Sequence, residues 1–269
     1  MSRPVDLGQI CLCVNAADVD ETAAFYERLG FRSTGLDAPK IRRSVAHGST
    51  ILTFMSFLER PLINYRGASI HALITELAAR GFEILNLDQS AQLLMLDENG
   101  EPLPDNECGA FSIIDPDGNE MFFNTHPPER APYKDQNWLS DPILAVEIAR
   151  VRDEGIGLGD LLMCLDIKDL AASVRFYEEL GLDVLHSTAD STTLGSLHPH
   201  GLQNPTAFPI RLHQAPVADA RFSFRCDDAE TVAASIRRLG INVVATRDGP
   251  AFVDPDDRRV VLMPADASS

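Results

Sequence analysis

The sequence predicts an α+β chain made of two copies of one small domain, each copy a pair of βαβββ modules. Three observations carry that expectation: a strand–helix–glycine–strand segment that recurs, four helix patterns that each stop at a glycine, and a proline–aspartate hairpin in both halves. At 269 residues the chain has room for two domains. Hydrophobic residues at 45% and charged residues at 23% are ordinary globular composition.

The first copy opens on the strand Ile10-Cys11-Leu12-Cys13-Val14. Its helix ends in Phe25-Tyr26-Glu27-Arg28-Leu29-Gly30-Phe31. The second copy reads Leu162-Met163-Cys164-Leu165-Asp166, then Phe176-Tyr177-Glu178-Glu179-Leu180-Gly181-Leu182, and Cys11 and Cys164 are taken as matching positions. Asp18 with Glu21 and Asp227 with Glu230 have capping-box spacing, and Asp169 is a good N-cap. Gly30 and Gly181 stand where a left-handed residue ends a helix. Two weaker helices, 69–80 and 227–239, stop at Gly81 and Gly240 and run into Phe82-Glu83-Ile84-Leu85 and Ile241-Asn242-Val243-Val244.

The late hairpins repeat as well. Asp115-Pro116-Asp117-Gly118-Asn119 joins Phe111-Ser112-Ile113-Ile114 to Met121-Phe122-Phe123-Asn124, and Asp254-Pro255-Asp256-Asp257 joins Ala251-Phe252-Val253 to Val260-Val261-Leu262-Met263. Proline, aspartate and glycine supply the turn dihedrals. The flanking strands, and the lack of an EF-hand glycine and distal glutamate, argue against a calcium loop. The expected domains are 1–126 and 159–269, with a proline-rich linker at 127–158. The linker holds a short helix over 141–152 with Pro142 at N1, and Trp138 as a docking anchor between domains. An insertion over 86–108 has no counterpart in the second half and reads as a surface excursion or a lid.

A net charge of −17 and a pI near 4.7 argue against nucleic-acid and membrane partners, because phosphates and anionic headgroups are repelled. The first residues lack a long apolar stretch, so no secretory signal is expected, and no apolar run approaches the ~20 residues that span a bilayer. Cys11, Cys13, Cys108, Cys164 and Cys226 are odd in number and form no CxxC pair, so reduced thiols and a cytoplasmic location are expected. Neither Cys11 nor Cys164 has a local base, and both read as small buried hydrophobes rather than nucleophiles. His126, His198 and His200 lie in loops; His47 and His71 stand singly.

The Asp18…Phe25-Tyr26…Leu29-Gly30-Phe31 and Asp169…Phe176-Tyr177…Leu180-Gly181 segments, with the Asp115-Pro116-Asp117-Gly118-Asn119 hairpin, resemble the vicinal oxygen chelate superfamily of glyoxalases, bleomycin-resistance proteins and dioxygenases. The resemblance implies a curled eight-stranded sheet in each domain, helices on the convex face and a ligand cavity on the concave one. It also implies metal ligands at the first strand of each module and the middle of the last. Carried over, those positions fall on Gln9, near Leu52 or Thr53, on the Leu62-Ile63-Asn64-Tyr65 strand and on Phe122. In the second half they fall on Leu162, near His213, on Arg221 and on Val261. This donor set is poor for a divalent ion, so no cofactor is expected.

Strand alternation assigns Gln9, Cys11, Cys13, Phe122 and Asn124 to the first cavity, and Asp166, Arg211, His213, Arg221 and Arg225 to the second. The first suits an apolar, flat ligand, unless it is simply filled core. The second suits an anion, since guanidinium groups hold carboxylates or phosphates bidentately; a solvated edge with salt bridges is its alternative. The leading functional reading is a metal-free protein of bleomycin-resistance type that binds a small organic molecule. The others are an enzyme, metal-dependent or using acid/base chemistry at His213 oriented by Asp166, and one domain serving as structural partner to the other. The chain is expected to act as a monomeric pseudo-dimer or a homodimer.

Overall fold

A computed structural model describes residues 5, 7–34, 38–47, 50–88, 109–125, 156–195, 210–214 and 222–264. Cys108, His126, Trp138, His198, His200 and Arg221, the 141–152 helix and residues 89–108 of the insertion lie outside them. Among the described residues no helix is long and apolar enough to cross a membrane.

The first half runs β1 (Gln9–Asn15), α1 (Val19–Arg28), β2 (Arg32–Ser33), β3 (Arg42–His47) and β4 (Thr50–Met55). It continues with β5 (Leu62–Arg66), α2 (Ile70–Ala79), β6 (Leu85–Asp88), β7 (Gly109–Ile114) and β8 (Glu120–Thr125). The second half runs β9 (Asp160–Asp166), α3 (Leu170–Leu180), β10 (Asp183–Ser187), β11 (Ser191–Gly195) and β12 (Ile210–His213). It closes with β13 (Phe222–Cys226), α4 (Ala229–Arg238), β14 (Val243–Thr246), β15 (Gly249–Val253) and β16 (Arg259–Pro264). These strands form two eight-stranded sheets of one topology, β2-β3-β4-β1-β5-β8-β7-β6 and β10-β11-β12-β9-β13-β16-β15-β14. Each sheet is therefore built from two βαβββ modules joined along the antiparallel pair of their first strands, β1 with β5 and β9 with β13.

Local chemistry sets the helix ends. The Asp18 carboxylate accepts from the N–H groups of Asp20 and Glu21, and Asp169 accepts from Ala172. In the last helix the cap is Asp228, which accepts from the Thr231 N–H, and not Asp227 as the capping-box spacing suggested. The one-residue shift lets Asp228 Oδ2 take the Thr231 hydroxyl as well, at 2.7 Å. Gly181 ends α3 at φ 114°, a left-handed conformation that costs a residue with a Cβ about 1 kcal/mol or more.

Period-two alternation splits every central strand between two faces. Ile10, Leu12 and Val14 join the main core beneath the helices, while Cys11 and Cys13 pack in a separate cluster on the other side. The same division puts Leu161, Met163 and Leu165 in the main core. That core is continuous across both halves, with Phe31 against Phe224 at 6.0 Å and Phe82 edge-on to Phe176 at 5.2 Å.

The hairpin turns join the halves reciprocally. Tyr177 on α3 donates to Asp115 Oδ2 of the first half at 2.9 Å, and Ser173 donates to Asp117 Oδ2 at 2.8 Å. Tyr26 on α1 donates to Asp254 Oδ2 of the second half at 3.1 Å, and Thr22 donates to Asp256 Oδ2 at 2.6 Å. The sheets thus form within each half, while the helix–turn clasps run between halves. Burial, then the Asp115 charge, pushes the Tyr177 phenol well above its ordinary pKa, which keeps it a donor.

Gly8 and Gly159 precede β1 and β9 and do one job twice. Each has a positive φ, +81° and +74°, and a Cβ would collide with the carbonyl of Arg66 or Arg225 on the neighbouring strand. Gly159→Ala is expected to cost about 2–4 kcal/mol, from backbone strain and the clash together. Urea denaturation checks this, and a loss under 1 kcal/mol would contradict the close approach.

Candidate functional site

The sheet registers place the side chains on the face away from the helices in equivalent positions in the two halves. In the first half Cys13 lies beside Thr53, Asn15 beside Met55, Cys11 beside Asn64, and Asn64 beside Phe122. In the second, Cys164 lies beside Arg211, Asp166 beside His213, Leu162 beside Ser223, and Ser223 beside Val261. Cys164 therefore corresponds to Cys13, and Leu162 to Cys11. This corrects the pairing of Cys11 with Cys164: strand alignment by composition slipped by two residues, which preserves the face and so leaves no trace in the pattern. Likewise Gln9 corresponds to Asp160, each opposite an arginine, Arg66 or Arg225, and Thr53 corresponds to Arg211 rather than His213.

The first concave face is buried and neutral at its centre. Cys11, Cys13, Ser44, Thr53 and Asn64 are each exposed by 4% or less. Thr53 Oγ1 lies 3.2 Å from Cys11 Sγ and 2.9 Å from Ser44 Oγ, and Asn64 Nδ2 donates to Cys13 Sγ at 3.7 Å. Phe122 is partly buried, Asn124 is 9% exposed, and Asn124 sits opposite Arg66.

The second face has a small, mostly apolar floor flanked by charge. Leu162, Cys164, Ser223, Ala251 and Val261 are buried, and Met263 packs against the last two. On β12, partly buried Arg211 and His213 stand on one side of this floor, with Asp166 exposed beside His213. Arg211 Nη2 donates to Ser191 Oγ at 3.5 Å, while its Nε is buried with no hydrogen-bond partner. Arg225 does not join them. It lies opposite Asp160, four residues and roughly 13 Å back along β9 from Cys164, and pairs with that carboxylate at 3.5 Å. So Asp166, Arg211 and His213 come together, Arg225 sits at the far end, and Arg221 is outside the described residues.

Titration behaviour follows the surroundings. Desolvation first, and the Arg211 charge second, lower the pKa of His213, against the pull of Asp190, Asp166 and Asp248. Both effects favour the neutral imidazole. Burial pushes the Cys164 thiol up to about 11, so it is no thiolate nucleophile. Ser191, Thr193, Asp190 and Asp248 belong to this neighbourhood and were missed in the sequence. Ser191-Thr192-Thr193 is a hydroxyl-rich run, but nothing local says that it pairs with β12.

No protein-family model matches the sequence, and no curated protein does. Solved structures match over nearly the whole chain. A catechol 2,3-dioxygenase is 15% identical with a TM-score of 0.53, over 100% of this chain and 92% of that one. The Mn(II)-bound glyoxalase from Novosphingobium aromaticivorans is 13% identical with a TM-score of 0.54, over 98% and 83%. The 2,2',3-trihydroxybiphenyl 1,2-dioxygenase from the dibenzofuran-degrading Sphingomonas wittichii strain RW1 is 13% identical with a TM-score of 0.54, over 99% and 94%. With these neighbours and this topology, the chain has the vicinal oxygen chelate fold, in two tandem α+β domains. At such identities the likeness is one of fold.

One of these neighbours is Mn(II)-bound, and a divalent ion makes definite demands on its donors. Three or four oxygen or imidazole ligands must converge. Among the described residues no three of histidine, cysteine, aspartate and glutamate do so. The central positions offer Cys11, Cys13, Thr53, Asn64 and Phe122 in one half, and Leu162, Cys164, Arg211, Ser223 and Val261 in the other. A guanidinium among the second set repels a cation. These residues do not fit a hard divalent metal.

Proposed function

We propose that the chain binds a small organic carboxylate on the concave face of its second domain, without a divalent metal, in the manner of a bleomycin-resistance-type binding protein. One observation carries this reading: Arg211 brings a buried Nε with an unmade hydrogen bond to the edge of an apolar floor. A carboxylate would satisfy that donor with a charge-assisted bond, and its organic body would cover Leu162 and Val261. The reciprocal clasps support a single chain acting as its own pseudo-dimer, with the first domain as the buttressing half. Thermal-shift screening of the full chain against benzoate, salicylate and aliphatic carboxylates, each beside its neutral amide, tests the reading. Carboxylates should raise Tm and the amides should not; equal shifts from both would sink it.

His213 gives this binding a pH dependence. Its pKa is lowered in the free protein and rises when an anion settles beside it. Affinity is therefore expected to increase as pH falls from 7 towards the free-protein pKa, with proton uptake on binding. Calorimetry in buffers of different ionisation enthalpy reads that uptake, and His213→Gln should flatten the profile. The neutral imidazole beside Asp166 supports a second reading, acid/base catalysis on the bound carboxylate; turnover lost in His213→Gln while binding persists would establish it.

A further inference from the structure

The first domain carries a different chemistry at its centre. Cys11 and Cys13 point from alternate positions of β1 to the same face of the sheet and pack in one buried cluster. Each sulfur has a polar neighbour. Thr53 Oγ1 is 3.2 Å from Cys11 Sγ and is itself tied to Ser44, and Asn64 Nδ2 donates to Cys13 Sγ at 3.7 Å. Asn64 is 4% exposed and its Oδ1 has no hydrogen-bond partner. The amide thus turns its donor to sulfur while its own acceptor goes unmet, an arrangement that buried amides ordinarily avoid. Around the sulfurs lie Ala46, Ile51, Met55, Leu58 and Leu62, an apolar wall.

We propose that Cys11 and Cys13 form a two-coordinate site for a soft monovalent metal ion of the Cu(I) class. Soft thiolates select such ions, and a dry apolar wall disfavours hard, hydrated ones. Binding breaks two S–H bonds, forms two metal–sulfur bonds and releases two protons to solvent; no electron is transferred. The resulting complex carries one negative charge, which the Asn64 N–H, the Thr53 hydroxyl and the nearby Arg66 charge offset. Both thiols must lose their protons for the ion to bind, so uptake weakens as pH falls. The second domain supplies an internal control: Cys164 matches Cys13, but Leu162 stands where Cys11 would be.

This site is independent of the carboxylate reading. It is tested by anaerobic titration of the reduced full chain with Cu(I) buffered by bicinchoninate. One equivalent should be withdrawn from the chelator, with two protons released and a thiolate–Cu(I) absorption in the near ultraviolet. Cys11→Ser and Cys13→Ser should each lose that equivalent while keeping the parent circular dichroism. Asn64→Leu should weaken binding about tenfold. Cys108→Ser, Cys164→Ser and Cys226→Ser should retain it. Retention in Cys11→Ser or Cys13→Ser, or loss in any of the last three variants, would overturn the site.

Discussion

Asp254→Ala is expected to destabilise the chain by about 3–5 kcal/mol, the cost of removing the buried partner of a largely covered cation. The Asp254 side chain is fully buried and accepts from four donors. Two are the backbone N–H groups of Asp256 and Arg258, the third is Arg258 Nε at 2.7 Å, and the fourth is the Tyr26 hydroxyl from the other domain. Without the carboxylate, Arg258 keeps, among the described residues, Asp256 as a counter-ion at 2.8 Å and its bond to the Asn15 carbonyl. The Tyr26 hydroxyl would be left unpaired among Phe25, Phe31 and Phe54. Asp115→Ala, at the equivalent turn, should cost less, about 1–3 kcal/mol, because its partners are neutral. Urea unfolding of both variants measures the difference. Equal losses, or a loss under 1 kcal/mol for Asp254→Ala, would show that the clasp does not hold the domains as described.

Arg211→Met is expected to weaken carboxylate binding about 10- to 150-fold, the ~1.5–3 kcal/mol of a charge-assisted hydrogen bond. Stability should change little, since the guanidinium has one long bond to Ser191 and methionine can cover the same floor. Arg225→Met is the control, because Arg225 sits at the far end of the face and is paired with Asp160. It should leave affinity within about twofold. Calorimetry with the tightest carboxylate from the screen gives both numbers. Unchanged affinity in Arg211→Met would move the site elsewhere.

Much of the fold was legible because its signals are local. Capping aspartates, terminal glycines and period-two strands depend on neighbours in sequence, and the two faces of β1 came out as alternation placed them. The failures have a common physical form. A strand pattern repeats every two residues, so it assigns a face but not a position along the strand. That is why Cys11 was matched to Cys164, and why Arg225 was grouped with Arg211. The clasps were illegible for another reason. Tyr26 and Asp254 are 228 residues apart, and nothing local to either tells which turn meets which helix. The hairpin aspartates were visible as turn formers; their bonds to the opposite domain were not.

The most direct test of the central claim is carboxylate binding before and after exhaustive treatment with a strong chelator, with metal content measured by elemental analysis at each stage. The metal-free reading predicts the same affinity and stoichiometry throughout, with Mn, Fe, Ni and Zn far below one equivalent per chain. Binding that disappears with the metal and returns on adding Mn(II) or Fe(II) would contradict it, and would put a divalent centre at the heart of this protein's chemistry.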